Sequence, residues 1–152
     1  MNQIAQGIWD GLELRTPRLL ELIADCSAKD MLWQPPNNAN SIAWQFWHIA
    51  EVEDNQIRAL VLNQPKRYPF NCSVRDAEHY PNKETLNAYF HEVRHLSKQR
   101  LAAISPADFG RVVEDTHFGT VTISQVWNSV MTSLAWHSGQ IALTYRLLGK
   151  AT

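Results

Sequence analysis

Apolar residues recur at helical spacing in four stretches of the chain, separated by segments rich in proline, asparagine and glycine. The first stretch carries Ile4, Ile8, Leu12, Leu19, Leu22, Ile23 and Cys26 at intervals that place them on one helix face. Thr16-Pro17 interrupts it, because proline lacks a backbone N–H and collides with the carbonyl four residues back. The pattern predicts one kinked element, with a second segment capped by Thr16 as the alternative. Ser27-Ala28-Lys29-Asp30 has the form of a capping box for a short turn, and Pro35-Pro36 followed by asparagines makes a loop.

A second helix is predicted from Ser41 to about Leu62, closed by Asn63-Gln64-Pro65. Residues 63 to 82, with Pro65, Pro69 and Pro81, read as a long connection. The third helix follows Asn82 as N-cap, carries Leu86, Tyr89, Phe90, Val93, Leu96, Leu101 and Ile104, and stops before Ser105-Pro106. Between Asp108 and Val121 the β-branched residues with Gly110 and Gly119 allow either a loop or a small hairpin. The fourth helix opens on the capping box Thr122-Ile123-Ser124-Gln125 and ends at Gly149. The sum is an all-α single domain over residues 1–152, a four-helix bundle with a long crossover between its second and third helices.

Composition narrows the function classes. With 152 residues, 45% apolar and 19% charged, the chain can bury a core without disulfides. A net charge of −1 and no cluster of Lys and Arg argue against a nucleic-acid surface. Apolar runs are short and Met1-Asn2-Gln3 opens no basic-then-apolar leader, so a cytoplasmic protein without a membrane segment is expected. Cys26 and Cys72 stand far apart and suit neither a disulfide framework nor a thiolate metal site.

His91-Glu92-Val93-Arg94-His95 matches the pattern that puts two zinc-binding imidazoles and a general base on one helix. Counted at about 100° per residue, however, His91 and His95 fall about 140° and 180° from the apolar stripe of their helix and face solvent. His137 behaves differently. It lies within about 40° of the stripe formed by Ile123, Val126, Trp127, Val130, Leu134 and Ile141. On the second helix His48 sits between Trp44 and Val52 in a second apolar row, while Glu53 falls on the main stripe, where a carboxylate needs a partner.

A single histidine on an apolar face is more often a hydrogen-bonded core residue than a ligand. Two on separate helices of one bundle favour a shared interior pocket, with Trp44, Trp47, Val52, Trp136 and Gln140 as its expected lining. Neutral imidazoles there suit zinc, nickel or iron.

The run from Asn40 to Asp54, with Trp44, Trp47, His48, Ala50, Glu51 and Glu53 in it, resembles the second-helix signature of the DinB/YfiT-like family. His137-Ser138-Gly139-Gln140-Ile141, followed by Arg146 and Gly149, resembles its closing motif. The resemblance implies a homodimer of four-helix bundles and a divalent metal held by three histidines, one from the second helix and two spaced i, i+4 on the fourth. It further implies metal-dependent hydrolase or thiol S-transferase chemistry, with a low-molecular-weight thiol as cosubstrate. His48 matches the first ligand and His137 the last, but the middle position is Ser133, whose hydroxyl is a poor ligand for such ions. His117 and Glu53 are the candidate substitutes, and no spacing argument brings either within reach. Two readings follow: a weak metal site acting on a small-molecule ligand, and a non-catalytic, metal-free binding or dimerisation module.

Overall fold

The computed structural model describes residues 1–37, 39–70, 72, 79–115 and 119–150. In chain order the helices are α1 (Gln3–Glu13), α2 (Thr16–Asp25), the short α3 (Ala28–Leu32), α4 (Ile42–Gln56), α5 (Lys83–Ala103) and α6 (Ile123–Leu147). α4 packs against both α5 and α6, and α1 with α2 closes the ring between them, which makes the four-helix bundle. Phe46, Phe90, Trp127, Leu12, Ile123 and Leu134 fill its centre. Cys26 and Cys72 are buried free thiols, and burial pushes the Cys72 thiol up to about 11. No helix among the described residues is long and apolar enough to cross a membrane.

The anticipated kinked element is two helices, separated at Leu14 and Arg15. Leu14 and Arg15 keep right-handed helical dihedrals across the break, and Pro17 sits within the first turn of α2, where a missing N–H costs nothing. Thr16 does not cap α2; its hydroxyl donates back to Leu12 O at 3.0 Å. Gly11, one turn before the break, faces α6 so closely that an added Cβ would lie 2.9 Å from Met131 Sδ.

Caps follow the side chains the sequence offers. Ser27 and Thr122 each close a full capping box, and Ser41 and Asn82 accept from the N–H three residues on. α4 ends in a π-helical turn, Ile57–Val61, before Asn63 takes a positive φ of 52°. The segment before α6 is a hairpin, β1 (Val112–Asp115) antiparallel to β2 (Gly119–Thr122), with Val113 opposite Val121.

The long crossover is pinned at Arg67. Its backbone N–H donates to Asn55 Oδ1 at 2.8 Å, and its guanidinium pairs with buried Asp54 and, at 2.7 Å, with Glu92 on α5. Tyr89 Oη also donates to Asp54, at 3.3 Å, so the crossover is tied to α4 and α5 through one buried carboxylate.

Candidate functional site

His48 on α4 and His137 on α6 meet inside the bundle, with ring centroids 4.9 Å apart and planes at 85°. Two imidazoles sharing one ion at a nitrogen–metal distance of about 2.1 Å would have centroids about 5 Å apart, so this pair has the separation a shared ion needs. Trp44 stacks on His48 with centroids 4.5 Å apart and meets His137 at 5.9 Å, while Trp47 tilts against His48 at 5.8 Å.

Each ring has an oxygen beside Nδ1. Gln45, buried at 4% exposure, lies one turn before His48, and its Oε1 is hydrogen-bonded to His137 Nδ1. An amide oxygen only accepts, so Nδ1 carries the proton and the lone pair is on Nε2. His48 Nδ1 lies 3.3 Å from Glu51 Oε2, a close contact without hydrogen-bond alignment. Glu51 is itself held by Asn55, whose Nδ2 donates to Oε1 at 2.7 Å. Burial works against its charge, but His48, Asn55 and Lys66 outweigh burial and keep the carboxyl below its usual range.

Burial, and secondarily the proximity of His48, lowers His137 to about 4. It is therefore neutral near pH 7, the form in which imidazole ligates a metal. The same shift predicts a pH signature. Above about 6.5, the free-imidazole value, folded and unfolded chains both hold this ring neutral. As pH falls from there toward 4, the unfolded chain takes up the proton first, so this contribution to stability declines through that window and then levels off. In chelator-treated protein, the melting temperature of His137→Gln should fall less steeply than that of the parent between those limits.

Ser133 is half-buried one turn before His137, and Val52 and Gln140 are half-buried one turn after His48 and His137. Trp136 is a correction: it is 66% exposed, because the 100° step from inward-facing His137 turns its neighbour outward. With Leu143 and Leu147 it forms an apolar stripe on the outer side of α6. Glu53 is excluded as a substitute ligand, since its Oε2 accepts from Arg94 at 3.1 Å and is committed to the α1–α5 side of the bundle. His91, Glu92 and His95 are exposed, as their angular count requires. His117 lies outside the described residues. Among the described residues no group of three or more His, Cys, Asp or Glu side chains is placed to hold a metal ion.

Sequence reasoning overlooked Gln45 and Glu51 as site residues. Their signal is position: each stands three residues from His48, and Gln45 is a polar intruder in the otherwise apolar opening of α4.

Residues 12–141 match the sequence model of the DinB superfamily. A crystal structure of a conserved protein from Enterococcus faecalis superposes with a TM-score of 0.84 at 21% identity, covering 99% of this chain and 100% of that one. At that identity the likeness speaks for the fold alone. No curated protein matches the chain.

Proposed function

Because the chain belongs to the DinB superfamily, we propose that His48 and His137 are the protein ligands of a divalent-metal site of reduced ligand count, which serves hydrolase or thiol-transferase chemistry on a small molecule. The observation that carries this reading is the meeting of the two rings at 4.9 Å, each with an oxygen beside Nδ1. The Gln45 contact sets the tautomer and orientation of His137, as second partners do for metal-bound histidines. Zinc, nickel or iron would fit two such nitrogens, with Ser133 or solvent completing the set.

Such an ion, held by His48 and His137, would lower the pKa of a water or thiol and so supply a nucleophile near neutral pH. The chain's own groups do the rest. Gln45 holds the His137 imidazole, Glu51 lies beside that of His48, and Trp44 and Trp47 keep water from the apolar side. Trp47 Nε1 is buried without a partner among the described residues, a donor available to a polar group on the substrate. The homodimer expected from the resemblance belongs to the same reading, supported by the outward stripe of Trp136, Leu143 and Leu147.

A second reading, a metal-free binding or dimerisation module, is favoured by one observation: no third ligating side chain joins the pair among the described residues. Equilibrium dialysis against Zn²⁺ separates the two. It is done in a His91→Gln/His95→Gln background, since an exposed i, i+4 pair can chelate on its own. The metal reading expects one ion per chain with a dissociation constant of about 1–100 µM, lost in His48→Ala and in His137→Ala. No bound zinc, or binding indifferent to both substitutions, overturns it and leaves the metal-free module.

A further inference from the structure

A second concavity lies on the opposite side of α6 from α4, between α6 and the break that joins α1 to α2. It encloses about 440 Å³, enough for a small organic molecule. Its floor is aliphatic, from Leu14, Leu19 and Leu22 on one wall and Ala135 and Ala142 on the other. Its rim is cationic, from Arg15, Arg18 and Arg146, and no acidic residue lines it.

The charges at this rim are poorly compensated. Only Arg18 has an acidic partner, Glu21 at 2.9 Å, and both of those side chains are well exposed. Arg15 reaches just a backbone carbonyl, Gly11 O at 3.5 Å. The Arg146 guanidinium has no ion pair or hydrogen bond among the described residues. Ser138 Oγ, in the α6 wall, is buried and has no partner among the described residues. Guanidiniums are matched to carboxylates through paired N–H donors, and a buried hydroxyl without a partner costs free energy unless something polar reaches it.

We propose that this groove binds a small amphipathic carboxylate of the fatty-acid type, its carboxylate held by the three arginines and its aliphatic chain laid over the leucine and alanine floor. A bare phosphate would use the rim and leave the floor wet; an uncharged alcohol would use the floor and leave the guanidiniums unmatched. The site is independent of the histidine pair, which faces α4 from another side of α6.

Calorimetric titration with decanoate, below its aggregation threshold, tests this on the full chain. One saturable site is expected at about 0.1 mM or tighter. Decanol and inorganic phosphate should each bind at least about tenfold more weakly, since each supplies half of the recognition. Arg15→Gln/Arg146→Gln should weaken decanoate by about tenfold or more, and both positions are exposed, so the fold is not at stake. A Cβ at Gly139 meets nothing within 4 Å, so Gly139→Leu fills the groove while improving the helix; it should abolish decanoate binding with the melting temperature unchanged or raised. None of these variants should alter zinc binding, which keeps this result separable from the metal reading. Absence of a saturable site, equal affinity for decanol or phosphate, or decanoate binding that survives both variants overturns the proposal, as does a monomer–dimer equilibrium abolished by Gly139→Leu in protein that takes up no decanoate.

Discussion

Replacing Arg94 with leucine is expected to destabilise the fold by about 3–5 kcal/mol, because it strands the buried Glu53 carboxylate without its cation. For a domain of this size that lowers the melting temperature by about 10–15 °C. Glu53 is 1% exposed and its Oε1 is unpartnered, so burial already pushes its carboxyl above the usual range. Arg94 does more than neutralise it. Its Nη2 donates to Leu12 O at 3.0 Å and to Thr16 Oγ1 at 2.6 Å, and its guanidinium sits 5.6 Å from the Trp9 ring and 5.5 Å from that of Phe90. The arginine therefore supplies a donor to the Leu12 carbonyl at the end of α1 and to Thr16 at the start of α2, tying the two segments together. The variant Arg94→Leu/Glu53→Leu should recover much of the loss, since an apolar pair needs no desolvated charge. Thermal melts of the single and double variants check this; a single variant within about 1 kcal/mol of the parent would mean that the ion pair has little energetic weight.

Ser133→His is expected to tighten zinc binding on the order of a hundredfold, by adding the i, i+4 imidazole that lets one rigid helix clamp an ion. Ser133 is half-buried one turn before His137, so the new ring can reach the existing pair without entering the core. Competition titration in the His91→Gln/His95→Gln background reads the change. An unchanged affinity would show that this position does not address the ion.

The bundle was legible because its helices announce their faces and, the α1–α2 break apart, their ends. Asn82, Thr122-Gln125 and Ser27-Asp30 cap in the structure as their spacing foretold. His48 and His137 were found by the same angular count, which depends only on helix geometry. What local pattern could not supply was partnership across helices. Trp136 lies next to His137 in sequence and points the other way, and Glu53 looked like a spare ligand until Arg94, 41 residues on, claimed it. The hold on His137 comes from Gln45, 92 residues away, a tertiary relation that no periodicity encodes. The groove beside Arg15 and Arg146 escaped notice for the same reason, since its walls come from opposite ends of the chain.

The most direct test of the histidine site is long-range ¹H–¹⁵N NMR of the imidazole nitrogens, with and without Zn²⁺. In the metal-free protein His137 should be neutral with the proton on Nδ1, next to Gln45. On adding zinc, the Nε2 resonances of His48 and His137 should shift together while the Nδ1 proton of His137 persists. Nε2 signals that stay in place with zinc in excess, or a proton on Nε2 of His137 in the metal-free protein, would contradict the account.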